Sequence, residues 1–191
     1  MSIWGFHSFW FEKGPQPPYG GIKWRIQNKE EEEDKLLKEI QTYLTQLGDL
    51  RNQVKTLLEG LPPEALDWRP IQEEGELATN SLAVMAVHLA GSQTYWMKEV
   101  IGGTPIKRDR EAEFVTRSVP AAELKARMDA ASRVSEEVLS SLTGPQLEES
   151  RKFRDRTVTV RWGILHVIEH FAIHLGHMQL TRQLWLARSK K

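Results

Sequence analysis

Apolar side chains recur at spacings of three and four along four separate stretches of the chain, and each such stretch predicts a helix. The first carries Leu36, Leu37, Ile40, Tyr43, Leu44, Leu47, Leu50, Val54, Leu57 and Leu58. The acidic run from Glu30 to Asp34 precedes it, where negative charge complements the positive end of a helix dipole, and Gly60-Leu61-Pro62-Pro63 ends it. Residues 63–70 read as a short turn and loop. Thr79, Asn80 and Ser81 are good N-caps for a second helix, which runs through Leu82, Met85, His88, Leu89, Tyr95 and Trp96 to Ile101-Gly102-Gly103. That helix is apolar nearly all round, the mark of a buried element. A third helix opens at Pro120, carries Leu124, Met128, Ala131, Val134, Val138 and Leu142, and stops at Gly144-Pro145. The residues from Thr157 to Val160 read as a short extended stretch before a fourth helix from about Val160 to Ala187. Four long helices with mostly short links predict an all-α four-helix bundle, with a longer crossover between the second and third.

Ahead of the bundle the pattern breaks down. Trp4, Phe6, Phe9, Trp10, Phe11, Tyr19 and Trp24 crowd around a Pro/Gly-rich segment with no helical or strand period. We therefore read residues 1–32 as an aromatic N-terminal extension and residues 33–191 as the bundle domain. Lys+Arg and Asp+Glu balance at 26 each, which gives no support for a nucleic-acid or anionic-membrane partner. No apolar run approaches the roughly 18 to 20 residues of a membrane span, and the N-terminus lacks the parts of a signal peptide. The chain has no cysteine, which fits a cytoplasmic protein and removes disulfides, thiolate metal sites and a cysteine nucleophile together. Any metal must be held by His, Asp or Glu, and any thiol must come from a cosubstrate.

The chemistry-bearing residues are histidines. His166, His170 and His174 form a row at i, i+4 and i+8 on the fourth helix. Adjacent members are turned by about 40° and separated by about 6 Å, close enough to share one ion; the outer pair is about 12 Å apart and is not. One adjacent pair joined by His88 from the second helix makes a three-nitrogen site with open positions, the plan of a catalytic rather than a structural metal centre. His166-Val167-Ile168-Glu169-His170 also matches the H-x-x-E-H string of inverted zincins. That pattern needs an acidic ligand far downstream, and no Asp or Glu follows Glu169. Three neutral imidazoles favour Zn²⁺ or Ni²⁺ by softness and leave iron or manganese open by geometry.

Glu169 points about 100° away from His170, so it reads as a surface partner or a group orienting a ligand before it reads as a general base. Arg182 lies eight residues after His174 on nearly the same face. It is either a binder of a substrate carboxylate or a surface arginine favoured by the helix dipole. Tyr95 lies on the face of His88 and reads as core before pocket wall; Trp96 and Trp162 read as core. His177 is turned about 60° from His174 and is not expected to be a ligand.

The ordered set from Leu61-Pro62 to Trp68-Arg69-Pro70, then Thr79-Asn80-Ser81-Leu82 to His88-Leu89-Ala90, then Val167-Ile168-Glu169-His170 to His174-Leu175-Gly176-His177-Met178-Gln179-Leu180, resembles the DinB/YfiT-like superfamily. The resemblance covers roughly residues 33 to 188. It implies an up-down-down-up four-helix bundle with a metal triad of one histidine on the second helix and an H-x-x-x-H pair on the fourth, here His88, His170 and His174. The family often has H-x-G-Q after the pair, and here His177-Met178 intervenes before Gln179. The resemblance further implies a metal-dependent transferase acting on a small-molecule substrate, with a low-molecular-weight thiol as cosubstrate and a metal-bound thiolate as nucleophile. A hydrolase using metal-bound water and a non-catalytic metal-binding stress protein are the alternatives. It also implies a homodimer, for which the aromatic extension offers a contact surface.

Overall fold

The computed structural model describes residues 20–73 and 75–188, with side chains described for 29–73, 75 and 77–188. The aromatic positions from Trp4 to Tyr19 lie outside the described residues. Helix α1 (Gly20–Leu57) starts well before the acidic run, earlier than the sequence pattern suggested. After Pro18 and the glycine pair nothing breaks a helix, and the segment is rich in Lys, Arg, Gln and Glu, which are good helix formers. The acids therefore sit in mid-helix. Lys29 and Lys38 pair with Glu33 and Asp34 one turn away and take over the compensation expected from a helix end.

The segment expected to be a plain loop contains a short helix, α2 (Pro63–Asp67), with proline at its first position and Ala65 and Leu66 buried. A 3₁₀ turn (Gly75–Leu77) leads to α3 (Leu82–Tyr95). Of the three expected caps Ser81 is the one used, its Oγ accepting the Val84 N–H at 3.2 Å. The second helix reaches Ile101 as expected, but its last turn, Trp96–Ile101, widens to π-helical geometry, with Gly102 N–H donating to Met97 O at 2.8 Å. The crossover carries a short helix, α4 (Arg110–Phe114), capped by Asp109, and delivers the chain to α5 (Ala121–Ser140). After α6 (Gly144–Leu147), strands β1 (Ser150–Phe153) and β2 (Arg156–Thr159) form an antiparallel hairpin. The expected extended stretch is thus its second strand. α7 (Val160–Arg188) completes the chain.

Side-chain contacts set the directions of the long helices. Lys55 meets Asp129 and Glu59 meets Lys125, so α1 and α5 run antiparallel. Gln93 bonds Ser135 at 2.7 Å and Gly102 faces Val138 further along both helices, so α3 and α5 run parallel. His88 meets His170 while Trp96 meets His166, so α3 and α7 run antiparallel. Up, down, down, up follows. Two parallel neighbours in sequence cannot be joined by a tight turn, and the crossover through α4 is the consequence. The ring of four encloses one core, with Leu47, Leu58, Leu89, Met97, Leu124, Met128, Ile164 and Phe171 fully buried. Among the described residues no helix is long and apolar enough to cross a membrane.

Candidate metal centre

The antiparallel crossing of α3 and α7 sets His88 against one stripe of α7. His170 and His174, one turn apart, lie on that stripe. The three rings are mutually close, with centroids 5.1 Å (His88–His170), 5.2 Å (His88–His174) and 4.5 Å (His170–His174) apart. One ring nitrogen from each lies within 4.8 Å of the others. His88 Nε2 and His170 Nε2 are 3.2 Å apart, close to the roughly 3.3 Å between two nitrogens on a tetrahedral zinc at ordinary bond lengths. His174 Nδ1 is buried with no hydrogen-bond partner among the described residues, a debt that buried polar atoms rarely carry. Converging imidazoles with an unpaid nitrogen fit a divalent cation, and His88, His170 and His174 are the residues that could hold one.

His88 is oriented from the crossover. Glu113 on α4 is 7% exposed, and its Oε2 lies 2.9 Å from His88 Nδ1. An ionised carboxylate only accepts, so Nδ1 carries the hydrogen and Nε2 presents its lone pair toward His170. Arg108 donates to both Glu113 oxygens, at 2.7 and 2.8 Å. Burial alone would raise the Glu113 pKa, but the hydrogen bonds from His88 and Arg108 and the arginine charge outweigh it and hold the carboxyl below its ordinary range. Phe114 packs on the His88 ring at 4.9 Å. The carboxylate reaches α3 only because residue 91 is glycine: a Cβ there would collide with Glu113 Oε1 and lie 2.9 Å from Cδ. Sequence reasoning missed Glu113 and Arg108. The available signal was a glycine in mid-helix, three residues and so nearly one turn after His88.

Burial, then the neighbouring rings of His174 and His88, push the His170 pKa down to about 3. Burial followed by His88 and His177 takes His174 to about 4. Both rings are therefore neutral, ready to ligate, well below the ordinary histidine range. Their folded values lie under the unfolded value of about 6.5, so the unfolded chain takes up protons first as pH falls. The metal-free protein is expected to keep full stability above about pH 6.5 and to lose it progressively toward pH 4. Solvent screening of half-buried rings reduces the expected loss to roughly 2 kcal/mol. Urea unfolding with EDTA present, at pH 7 and pH 4.5, checks this, and equal stability for wild type and His170→Ala across that range would contradict it.

Two clefts border the triad. One, of about 410 Å³, reaches His88 and His170 and is walled by Tyr95, Trp96, Phe153, His166 and four arginines, Arg108, Arg110, Arg154 and Arg156. The other, of about 480 Å³, reaches His174 and is mainly apolar, with Pro70, Ile71, Met85, Leu180 and Leu184 in its wall.

A family model described as the DinB superfamily matches residues 46–178, a span that includes the triad and Glu113. The chain belongs to that superfamily. Among solved structures, a conserved protein from Enterococcus faecalis superposes with a TM-score of 0.64 at 14% identity, covering 77% of this chain and 96% of its own. A DinB-like protein from Bacillus cereus gives 0.58 at 16%, covering 74% and 89%. A DinB-like protein from Bacillus subtilis gives 0.56 at 18%, covering 74% and 90%. At such identities the likeness establishes the fold. Comparison with curated proteins gave no match.

Within this DinB bundle the remaining sequence candidates fall in different places. His166 stays out of the triad, stacked on Trp162 with rings 6° from parallel and 5.0 Å apart. Burial lowers its pKa, Glu169 partly opposing. Trp162, expected in the core, is 36% exposed and packs over His166 and under Arg156; its position at the first turn of α7 faces the hairpin rather than the bundle interior. Trp96 is buried as expected. Tyr95, expected chiefly as core, packs against the core and also walls the cationic cleft. Glu169 is exposed, 3.8 Å from His166 Nδ1. Arg182 has a buried Nε with no hydrogen-bond partner among the described residues and lines neither cleft. His177 is exposed and lies in the apolar cleft.

Proposed function

We propose that this protein is a divalent-metal-dependent transferase that joins a low-molecular-weight thiol to an electrophilic small molecule. The convergence of His88, His170 and His174 where two chemically different clefts meet carries this reading. When bound, a divalent ion supplies positive charge that acidifies a thiol or a water molecule held against it. The chain's own part is to keep three imidazoles neutral, so that none of the ion's charge is cancelled by a ligand. Glu113 holds the proton on His88 Nδ1, and its own charge is spent on Arg108.

Among the described residues no free carboxylate stands at the triad, which supports thiol transfer over hydrolysis. Activating water calls for a general base within hydrogen-bond reach, whereas a thiol with a pKa near 8.5 needs little help to ionise. Among the described residues, Glu113 is engaged twice and Glu169 lies on the solvent side of α7 beside His166. The cationic and apolar clefts offer separate seats for a polar thiol and an apolar electrophile.

Conjugation of monochlorobimane with glutathione, cysteine and 2-mercaptoethanol, followed by fluorescence, tests the reading. Turnover is expected with Zn²⁺ or Ni²⁺ and is expected to drop at least about 100-fold in His170→Ala, in line with the loss of a ligand. Metal binding without turnover on any thiol, extended to several electrophiles, would overturn it.

A further inference from the structure

Resting on the thiol-transfer reading of the same site, we infer that the hairpin arginines Arg154 and Arg156 form an anion subsite, so that the reactant entering the cleft at His88 and His170 carries a carboxylate or phosphate group. Among the described residues the cleft wall contains four arginines and no acidic residue. Arg108 is bonded to the buried Glu113, which also meets His88, and Arg110 lies 3.5 Å from Glu111. Arg108 is therefore neutralised, while neither Arg154 nor Arg156 has an acidic partner within ion-pair distance among the described residues.

The two hairpin arginines are held by aromatic rings. Both guanidinium groups lie over the Phe153 ring, at 5.2 Å for Arg154 and 5.6 Å for Arg156, and Arg156 also lies 4.7 Å from the Trp162 ring centroid. Stacking on a ring face occupies the plane of a guanidinium and leaves its edge N–H donors free, the edge that grips a carboxylate or phosphate with two parallel bonds. Trp96 packs at a tilt against Phe153 at 4.3 Å and against His166 at 4.6 Å, so this platform is continuous with the wall of the histidine site. Arg154 is also one of two non-glycine residues with a positive φ among the described residues, at 56° on the hairpin turn. Paired arginines at the mouth of the cleft would orient an anionic tail outward and leave its reactive end toward the histidines.

Isothermal titration of the full-length protein as purified, at physiological ionic strength, with succinate and separately with inorganic phosphate, tests this. Saturable binding of at least one anion is expected, weakened at least tenfold in Arg154→Gln/Arg156→Gln, with metal content and melting temperature unchanged. The anion that binds tells carboxylate from phosphate. A control, Arg117→Gln/Arg133→Gln, removes the same charge from exposed sites elsewhere and is expected to bind like wild type. Absence of saturable binding to wild type, equal binding by the hairpin variant, or an equal loss in the control would overturn the inference. Anion binding depends on no turnover, so an inactive protein that still binds succinate through Arg154 and Arg156 would refute thiol transfer alone.

Discussion

His170→Ala is expected to bind Zn²⁺ or Ni²⁺ at least about 100-fold more weakly than wild type, because replacing a group that merely orients a ligand already costs about 10–100-fold. His170 is the member of the triad whose nitrogen lies 3.2 Å from His88 Nε2, and its ring touches both partners. Two imidazoles would remain, too few to define a closed half-shell. The same loss should appear as heat stability. An ion at about 100 times its dissociation constant stabilises the native state by about 2.7 kcal/mol, which in a domain of this size raises the melting temperature by roughly 5–10 °C. Wild type should show that rise on metal addition and His170→Ala should not. Elemental analysis of untagged protein with paired melting curves decides it. One equivalent of metal retained by the variant would place the ion elsewhere.

Gly91→Ala is expected to weaken metal binding by about 10–100-fold without touching a ligand. Helix propensity alone points the other way, since alanine in mid-helix is favoured over glycine by about 0.5–1 kcal/mol. Here the added methyl would occupy the place of the Glu113 carboxylate. Displacing it leaves His88 Nδ1 without its acceptor and Arg108 beside an uncompensated gap, and a lost bond to a charged group costs about 1.5–3 kcal/mol. The net expectation is lower stability by about 1–2 kcal/mol together with weaker metal binding. Competition with a chromogenic chelator measures the affinity, and urea unfolding measures the stability. Glu113→Gln should weaken metal binding similarly while sparing the packing. Wild-type affinity in both variants would show that Glu113 does not tune His88.

How much of this was legible beforehand follows from the range of each interaction. His170 and His174 share a face because helix geometry fixes what lies one turn apart, and His88 could be placed because its helix is apolar all round and must be central. Glu113 could not be found in that way. It sits in a five-residue helix with no period of its own, 25 positions from His88, and only the docking of the crossover brings them together. Trp162 was misjudged for a related reason: an aromatic at helical spacing looks the same whether the facing element is a helix or, as here, a hairpin with a cleft beside it. The start of α1 was missed because its first turns follow a Pro/Gly-rich segment and mix Ile22, Trp24 and Ile26 with polar helix formers, without a sustained stripe at spacings of three and four.

The crossover has a length imposed by the parallel run of α3 and α5, and the bundle would be joined equally well by any peptide long enough to make the span. In this chain the same strut carries the carboxylate that selects which nitrogen of His88 faces the triad. Two bundles with the same three histidines can therefore differ in ion affinity and reactivity through a connection that never touches the ion, and insertions or deletions between residues 102 and 120 become mutations of the site at a distance.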